Sequence, residues 1–216
     1  MDIHPTAIVH PRAKVAAGVK VGAYSLIGEN VRIGNGTVIE SHVVVEGWTE
    51  IGERCHIFPF ASIGAAPQAL RYRGEPTRVV IGSDNTIREF VTINRGTAEG
   101  GGETVLGRGN LIMAYSHIAH DCRVGNQVIM ANASTLAGHI EVEDFALIGG
   151  LVAIHQFVRV GCYAIIGGAS AVPKDVPPYM CASGNRAQLF GLNAVGLRRH
   201  HFPETTISAL KHAYRI

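Results

Sequence analysis

The sequence predicts an all-β solenoid, a parallel β-helix of six-residue repeats, followed by a short helical segment at the C-terminus. Three observations predict this fold. An aliphatic residue recurs every six positions, glycine is abundant at 26 of 216 residues, and polar segments interrupt the repeat at only two places. A helix would place apolar residues three or four apart and a simple strand two apart, so neither explains the period of six.

The repeat starts at Ile3 and runs, with two interruptions, to Val172. Three six-residue units would close one triangular coil of 18 residues, and strand pairing would stack successive coils roughly 4.8 Å apart. Glycine often follows the aliphatic residue, and we expect those glycines to adopt corner angles that a Cβ would resist. The in-phase aliphatic residues are Ile3, Val9, Val15, Val21, Ile27, Ile33, Ile39, Val45, Ile51, Ile57, Ile63, Ile81, Ile87, Ile93, Leu106, Ile112, Ile118, Val124, Met130, Leu136, Val142, Ile148, Ile154, Val160, Ile166 and Val172.

Two polar, glycine-rich segments break the phase inside the β-helix, which we expect over residues 1–184. They are PQALRYRGEPT, within an insertion at about 65–78, and NRGTAEGGGET, within an insertion at about 94–105. Both are interpreted as loops that leave the solenoid. Loops on a rigid scaffold often carry function, so these two are candidates to border a site.

The composition turns helix-forming after the last repeat, so residues 185–216 are predicted to form a C-terminal helical segment. One helix is expected over roughly 186–200. A second is expected to start near Pro203 and Glu204, because proline suits the first turn of a helix. These helices would cover the open end of the solenoid, where core residues are otherwise exposed.

Composition excludes several classes of function. The formal net charge of +2 is too small for nucleic acid to be the main partner, and no apolar run approaches the roughly 18 residues of a membrane span. The N-terminus lacks the basic-then-apolar plan of a signal peptide, so a cytoplasmic location is expected. Cys55, Cys122, Cys162 and Cys181 form no CxxC pair and are interpreted as reduced core residues.

One stretch of the repeat, SHIAHDC, places two histidines and an aspartate among aliphatic residues. In a coil of 18 residues, Gly138 would lie above His120, and Gln156 above Gly138. The same step would place His139 above Asp121. Aligned titratable groups of this kind are more typical of a site than of a solvated surface.

An outward imidazole with a carboxylate behind it is suited to general base catalysis. His120 would take a proton from a hydroxyl, and Asp121 would fix the tautomer of the imidazole. No serine or cysteine stands in a nucleophile motif, so the substrate hydroxyl itself would attack. The amide of Gly138 would then donate a hydrogen bond to the oxyanion.

A zinc site is the alternative use of these histidines. Its ligands would have to come from His117, His120, His139 and His155. The carboxylate beside His120 favours a general base, although a zinc ligand can use the same kind of partner. We therefore assign no metal and keep zinc as the alternative.

Several motifs resemble those of the UDP-N-acetylglucosamine O-acyltransferases, a family of hexapeptide-repeat enzymes that act first in lipid A (lipopolysaccharide) biosynthesis. They are HIAHDC, LAGHI, IGGLVAIHQF, GEPTRV, VTINRGT and DVPPY, followed by GNRA, FGLN and GLRR. The resemblance covers essentially the whole chain in order. It implies a left-handed β-helix and a cytoplasmic homotrimer with active sites between neighbouring prisms.

The implied activity is transfer of an R-3-hydroxyacyl group from acyl carrier protein to the 3-hydroxyl of UDP-N-acetylglucosamine, without a cofactor. By resemblance, His120 is the general base, Asp121 its partner and Gly138 the oxyanion donor. The positions that match substrate contacts are His117, His139 and Gln156 for sugar or acyl chain, Gln68 and Arg71 for sugar and phosphate, Asn193 and Arg199 for the nucleotide, and Gly168 for acyl length. Glycine at the acyl-length position suggests a long chain.

The chain departs from the family pattern at three places. Ala69 stands where the family commonly has aspartate, so the acceptor could carry a 3-hydroxyl or a 3-amino group. Val195 and His200 replace an acid and a second arginine of some members, which implies different nucleotide contacts. The sequence also ends at ALKHAYRI, several helical turns before the family pattern ends.

Other functions stay open at this stage. The related N-acyltransferase of the same pathway normally carries an extra N-terminal domain, whereas the repeats here begin at Ile3. A zinc lyase of the carbonic anhydrase type and a non-enzymatic solenoid that binds nucleotide sugars are further alternatives. The basic residues Arg198, Arg199, His200 and His201 would either dock the acidic carrier protein or form a solvated helix face.

Overall fold

The structure, a computed structural model, describes residues 2–214 as a left-handed parallel β-helix with two helices near its C-terminal end. Most strands are two residues long, because each side of the triangular coil turns after one short strand. The strands are β1 (Asp2–Ile3), β2 (Ile8–Val9), β3 (Lys14–Val15), β4 (Lys20–Val21), β5 (Leu26–Ile27), β6 (Arg32–Ile33), β7 (Val38–Ile39), β8 (Val44–Val45), β9 (Trp48–Ile51), β10 (His56–Ile57), β11 (Ser62–Ala65), β12 (Arg78–Ile81), β13 (Thr86–Ile87), β14 (Thr92–Asn94), β15 (Glu103–Leu106), β16 (Leu111–Ile112), β17 (His117–Ile118), β18 (Arg123–Val124), β19 (Ile129–Met130), β20 (Thr135–Leu136), β21 (Glu141–Val142), β22 (Leu147–Ile148), β23 (Ala153–Ile154), β24 (Arg159–Val160), β25 (Ile165–Ile166), β26 (Ala171–Val172), β27 (Met180–Ser183) and β28 (Gln188–Leu192). The helices are α1 (Ala194–Arg199) and α2 (Glu204–Tyr214).

Three sheets form the three walls of the solenoid. Sheet A holds β1, β4, β7, β10, β13, β16, β19, β22, β25, β27 and β28; sheet B holds β2, β5, β8, β11, β14, β17, β20, β23 and β26; sheet C holds β3, β6, β9, β12, β15, β18, β21 and β24. Up to β26, every third strand along the chain returns to the same wall and pairs in parallel with its predecessor. The all-β solenoid predicted from the sequence is confirmed.

Up to β26, paired residues in neighbouring coils are eighteen positions apart except at the two insertions. At the first insertion His56 pairs with Thr86, thirty positions along, and at the second Thr86 pairs with Leu111, twenty-five positions along. The first insertion therefore adds twelve residues and lies between β11 and β12, and the second adds seven and lies between β14 and β15. Glu103 and Thr104, expected in the second loop, belong to β15.

The in-phase aliphatic residues point into the solenoid, as the sequence predicts. From Val21 onwards every one of them is buried, whereas those of the first coil are only partly covered. A second inward position holds aliphatic residues such as Val19 and Val31 in some coils and polar residues such as Ser25 in others. Ser25 Oγ, for example, donates to the carbonyl of Glu40 at 2.7 Å, so the buried hydroxyl is satisfied.

The corner angles do not come from the glycines to which the sequence pattern assigned them. The residue with positive φ is the third after the inward aliphatic, and it is often a bulky side chain: Tyr24, Phe60 and Asp121 have φ of 58°, 65° and 60°. Among described glycines that directly follow the aliphatic, only Gly64 has a positive φ, of 83°. That part of the prediction is wrong.

These glycines instead allow the coils to stack closely. At the corner from sheet C to sheet A, five successive coils place glycine at the same position: Gly34, Gly52, Gly82, Gly107 and Gly125. A Cβ on Gly52 would lie 2.6 Å from the carbonyl carbon of Gly82, and one on Gly82 would lie 2.7 Å from the oxygen of Gly107. Because a close-packed backbone cannot move away freely, only glycine fits there.

The C-terminal segment begins with a hairpin rather than with the long helix expected over 186–200. β27 extends sheet A by pairing with β25, and β28 turns back antiparallel to β27. Sheet pairing therefore overrides the helical propensity of residues 188–192, and α1 is limited to Ala194–Arg199. The second helix starts at Glu204 after Pro203, as predicted.

Both helices turn one apolar residue inward, since Leu197 and Ile207 are buried. Neither has the length and apolar character needed to cross a membrane, within the described residues 2–214.

Candidate active site

Three successive coils bring the histidine-rich positions together at the corner between sheets B and C. His120, Gly138 and Gln156 lie one above another, because β17, β20 and β23 pair in the eighteen-residue register. Between coils, the N–H of His139 donates to the carbonyl of His120 at 3.0 Å. The vertical register expected from the sequence is confirmed.

His120 and Asp121 form a hydrogen-bonded pair. Nδ1 of His120 lies 2.7 Å from Oδ2 of Asp121, and their side chains are 17% and 0% exposed, respectively. An ionised carboxylate can only accept, so Nδ1 carries the shared proton and Nε2 is the basic nitrogen. The backbone N–H of Asp121 donates to Thr104 Oγ1 at 2.9 Å, which anchors the corner.

Thr97, on the second insertion, supplies two further hydrogen bonds to Asp121. Its N–H donates to Oδ1 at 2.8 Å and its hydroxyl to Oδ2 at 2.7 Å. Sequence reasoning missed Thr97 as a partner of this carboxylate. Thr97 lies outside the six-residue repeat, so its position in the sequence does not predict which coil it contacts. Its contact with Asp121 depends on how the insertion folds back over the solenoid.

Gly138 lies directly against the imidazole of His120. A Cβ on Gly138 would lie 2.5 Å from Cε1 and 2.9 Å from Nε2 of His120, so any larger residue would displace the ring. Gly138 has no positive φ, and close approach is therefore the reason for glycine here. Within residues 2–214 the Gly138 N–H has no hydrogen-bond acceptor, so it is available to a ligand.

Aromatic rings are stacked on the outer surface of the corner in the coils above Asp121. The rings of His139 and Phe157 stack with centroids 4.5 Å apart, and His139 meets His120 edge-on at 5.1 Å. His139 Nε2 also lies 3.7 Å from Asp121 Oδ2. Two imidazoles therefore face the same carboxylate, and His120 is the closer.

A cavity of about 400 Å³ opens over these rings and lies within the size range of small-molecule sites. Its solenoid wall is formed by His120, His139 and Phe157, and its outer wall by residues of both insertions. The residues contributed by the insertions are Ala69, Leu70, Arg71, Tyr72, Glu75, Thr97, Ala98 and Glu99.

The two insertions are attached to each other at their bases. Arg95 donates through Nε and a terminal nitrogen to Tyr72 Oη at 3.1 and 2.8 Å, and through its other nitrogen to the carbonyl of Gly64 at 2.7 Å. Its guanidinium also lies 5.4 Å from the centre of the Tyr72 ring. Farther out, Arg71 approaches Glu99 at 3.3 Å. The first insertion thus rests on the second.

The remaining residues predicted near this corner are spread around it. His117 lies on β17, with Nδ1 2.7 Å from Thr92 Oγ1, and burial lowers its pKa. Gln68 is exposed on the first insertion, and Gln156 is exposed above Gly138 next to Phe157. Gly168 lies at the opposite edge of sheet B.

Asn193 and Arg199 lie in a different cavity, of about 420 Å³, whose floor is the outer face of sheet A. Asn193 caps α1: its Oδ1 accepts from the N–H of Gly196 at 3.0 Å, and its Nδ2 donates to the carbonyl of Tyr163 at 2.8 Å. The side chain therefore has a structural use that the sequence did not indicate. One protomer does not bring these two residues to His120.

His120, Asp121 and His139 are also the donors that could hold a metal ion, with ligand atoms within 4.8 Å of one another. Both oxygens of Asp121, however, already accept hydrogen bonds. Oδ2, the oxygen that faces both imidazoles, already accepts from Thr97 Oγ1 and His120 Nδ1, so a metal bound there would have to displace one of them. The donor set is therefore better suited to proton transfer than to metal binding.

Two family models match parts of the chain. A model for the bacterial transferase hexapeptide repeat matches residues 103–138, which include His120 and Gly138. A model for domain 2 of the UDP-N-acetylglucosamine O-acyltransferases matches residues 175–216.

Individual relatives match over the full chain. The acyl-[acyl-carrier-protein]–UDP-N-acetylglucosamine O-acyltransferase of Verminephrobacter eiseniae is 55% identical over 215 residues, which cover 100% of this chain and 82% of the relative. The crystal structure of the UDP-N-acetylglucosamine O-acyltransferase of Moraxella catarrhalis is 46% identical, covers 100% of this chain and 84% of its own, and gives a TM-score of 0.97. For the Francisella novicida UDP-N-acetylglucosamine acyltransferase these values are 41%, 99%, 78% and 0.97.

Proposed function

The chain belongs to the UDP-N-acetylglucosamine O-acyltransferases, and on this premise we propose a mechanism in which His120 activates the acceptor hydroxyl for direct attack on an acyl thioester. The enzyme is an acyltransferase that uses acyl carrier protein as donor and UDP-N-acetylglucosamine as acceptor. The R-3-hydroxyacyl donor, the 3-hydroxyl as the site of transfer, a role in lipid A biosynthesis and a cytoplasmic location are finer parts of the proposal.

In the proposed step, Nε2 of His120 removes the proton from the sugar hydroxyl while the hydroxyl oxygen attacks the thioester carbonyl carbon. The carbonyl oxygen becomes an oxyanion and accepts a hydrogen bond from the Gly138 N–H. Collapse of this intermediate breaks the carbon–sulfur bond, and the imidazolium returns its proton to the departing sulfur. Asp121 stabilises the imidazolium throughout.

The observation that carries this proposal is the contact of the His120 ring with the bare backbone of Gly138, with Asp121 at 2.7 Å on the other side. In the proposal, Nε2 of His120 serves as the base and the Gly138 N–H as the oxyanion donor at one reacting carbon. Neighbouring side chains would bind the sugar nucleotide: His139 and His117 from the solenoid, and Arg71 and Gln68 from the first insertion. Arg71 lies in the cavity wall and suits a phosphate.

The acyl chain would leave the site along sheet B. A surface cavity of about 600 Å³ begins beside Gly138 at Ala137 and is floored by the small side chains of Thr135, Ala153 and Ala171. Gly168, at the far edge of this sheet, would limit the length of the chain. A Cβ there would lie 3.2 Å from the carbonyl oxygen of Gly150, so a larger side chain would pack tightly against the preceding coil.

A homotrimer with sites between protomers is part of the proposal. Asn193 and Arg199, matched to nucleotide contacts by resemblance, lie on the sheet A side and line a cavity separate from that of His120. A neighbouring copy would have to present them to the His120 cavity. The C-terminal basic residues are then candidates for docking the acidic carrier protein, by charge complementarity.

The decisive experiment compares His120→Ala with the parent enzyme. We expect transfer from hydroxyacyl carrier protein to fall by about 10³-fold or more, while the melting temperature and nucleotide binding stay near the parental values. His10→Ala, an exposed histidine in the first coil, is the matched control. Full activity of His120→Ala would contradict the mechanism.

The acceptor is identified in the same assay. The enzyme is supplied with UDP-N-acetylglucosamine or its 3-amino analogue, together with hydroxyacyl carrier proteins of several chain lengths, and products are read by mass spectrometry. Transfer to the 3-hydroxyl sugar is expected. Exclusive transfer to the amine would assign the site to N-acylation, a result that Ala69 in the cavity wall would help to explain.

A further inference from the structure

The second insertion does more than border the cavity, because its first turn closes over the buried carboxylate of Asp121. That carboxylate is completely excluded from solvent. It accepts one hydrogen bond from His120 and two from Thr97, at 2.7 and 2.8 Å. Thr97 therefore supplies most of the donors that hold the ionised group in place.

The hydroxyl of Thr97 has a defined direction. Its oxygen accepts from the N–H of Gly100 at 3.1 Å, while the Thr97 carbonyl accepts from the N–H groups of Gly100 and Gly102 at 3.2 and 2.8 Å. Because the hydroxyl oxygen is already an acceptor from Gly100 and the carboxylate can only accept, the single hydroxyl proton points to Asp121. The turn therefore orients the donor before a substrate arrives.

The three consecutive glycines of this insertion have two different reasons to be glycine. Gly101 and Gly102 have φ of 100° and 83°, and a Cβ on either would meet open space, so backbone conformation accounts for them. Gly100 has no positive φ, but a Cβ on it would lie 2.1 Å from Cγ of Asp121. Its bare backbone lies against the carboxylate, where any side chain would collide with it.

The arrangement matters because Asp121 has two imidazole neighbours. Oδ2 lies 2.7 Å from His120 Nδ1 and 3.7 Å from His139 Nε2. Rotation of the carboxylate about its Cβ–Cγ bond would weaken the first contact and allow the second. With Thr97 N–H on Oδ1 and the hydroxyl on Oδ2, this rotation would break two hydrogen bonds.

We propose that Thr97 is a positioning residue that directs Asp121 towards His120 rather than His139, with Gly100 holding the carboxylate from behind. This inference rests on the proposed role of His120 as general base. Thr97 acts through Asp121. The carboxylate that Thr97 holds fixes the ring orientation and the Nδ1–H tautomer of His120, and therefore the direction in which Nε2 points. The second insertion is thus a structural part of the catalytic machinery.

The test removes the hydroxyl while preserving shape and the backbone N–H. In Thr97→Val we expect kcat to fall about 10- to 100-fold, the range typical for loss of a hydrogen bond that orients a metal-bound imidazole. The KM for UDP-N-acetylglucosamine is expected to stay within about twofold. Thr97→Ser, which keeps the hydroxyl, should retain most of the activity, and Gly100→Ala should lose as much as Thr97→Val.

A spectroscopic readout separates positioning from general loosening of the fold. The Nδ1–H proton of His120, assigned by its absence in His120→Gln, should give a protected downfield resonance in the parent and Thr97→Ser but not in Thr97→Val. Thr86→Val, on β13 of sheet A away from the cavity, is the matched control and should leave kcat, the resonance and the melting temperature unchanged.

Each outcome either supports or contradicts the positioning role of Thr97. Parental kcat and an intact resonance in Thr97→Val would overturn the inference, as would a raised KM at unchanged kcat, which would make Thr97 a substrate contact. If Thr97→Val unfolds, Thr97→Ala removes the same hydroxyl with a smaller side chain, and parental kcat in that variant would equally overturn the inference. Full activity of His120→Ala would instead refute the proposed function, whatever Thr97 does.

Discussion

His117 and His120 lie only three residues apart, yet their imidazoles have different surroundings. His120 pairs with the buried carboxylate of Asp121, whereas His117 is covered by neighbouring residues and bonds to the Thr92 hydroxyl. Burial lowers the pKa of His117, and the nearby His120 lowers it further. His117 is therefore suited to act as a neutral hydrogen-bonding group, and His120 as a base.

This difference predicts a distinct titration. We expect the His117 imidazole to titrate below the ordinary value of about 6.5 and to be neutral at pH 7, as followed by NMR of labelled histidine. Because the folded state disfavours the charged form, the unfolded chain binds this proton more readily. The contribution of His117 to stability is thus present above about pH 6.5 and is lost as the pH falls below it.

The same titration in His120→Gln tests the cause of the shift. Burial is its larger cause and the charge of His120 the smaller, so the midpoint should rise only slightly in this variant. A His117 midpoint at or above the ordinary value in the parent would contradict the description of its surroundings.

At the scale of the repeat, corners are specialised. The corner between sheets C and A is built of stacked glycines, whereas the corner between sheets A and B carries an aromatic ladder, defined as Tyr24, His42, Phe60, Phe90 and Tyr115. Ring centroids in the ladder are 4.8 to 5.1 Å apart, which follows the spacing of the coils. The corner between sheets B and C carries the chemistry.

The glycine corner predicts a sharp stability effect. Gly82→Ala should lower the free energy of unfolding by about 1–3 kcal/mol, because the new methyl group meets backbone atoms of the next coil. The measurement is chemical denaturation. Gly28→Ala is the matched control, since a Cβ there would meet its nearest atom, Glu46 Cα, only at 3.2 Å. An equal loss in both variants would argue against close stacking as the cause.

The two insertions act as one element because Arg95 connects them. Arg95→Ala removes two hydrogen bonds to Tyr72 of the first insertion and one to the carbonyl of Gly64 on β11. We expect the KM for UDP-N-acetylglucosamine to rise about tenfold with a smaller change in kcat, because the first insertion carries Arg71 but none of the reacting groups.

The control for this prediction is Arg88→Ala, an arginine paired with Glu89 at the corner between sheets A and B. Its KM should match that of the parent. An unchanged KM in Arg95→Ala would show that the first insertion keeps its position without this connection.

At the scale of the whole molecule, the surface of one protomer has features of an oligomer interface. Four members of the aromatic ladder, Tyr24, Phe60, Phe90 and Tyr115, are large exposed rings along one edge of the solenoid. Exposed apolar surface in a continuous patch is typical of protein contacts. Together with the separation of Arg199 from His120, it supports the proposed trimer.

Mixing inactive variants tests this assembly. His120→Ala and Arg199→Ala protomers, refolded together in equal amounts, should regain up to about one quarter of parental activity, because cyclic assemblies of mixed subunits restore some shared sites. Each variant refolded alone is the control. If Arg199→Ala alone keeps full activity, Arg199 has no part in the site. If mixing restores nothing although the variants co-assemble, each site belongs to a single protomer.

The sequence by itself determined the β-helix and the column through His120, Gly138 and Gln156, because both follow from a fixed period along the chain. Residues eighteen apart must stack once each coil has three equal sides. Two predictions were wrong for local reasons. The conformation of the corner glycines depends on contacts with the next coil. The helix expected over 186–193 is replaced by hairpin pairing, and neither effect is encoded in the six-residue period.

Only the tertiary structure decided how Thr97 and Gly100 reach Asp121 and how Arg95 connects the insertions. The insertions lie outside the repeat, so their sequence carries no register that would place them against a particular coil. Their positions follow from hydrogen bonds and close packing between segments far apart in the chain. For this protein the periodic scaffold can be derived from the sequence. The orientation of the side chains in the candidate site depends instead on contacts that the aperiodic insertions make with the scaffold.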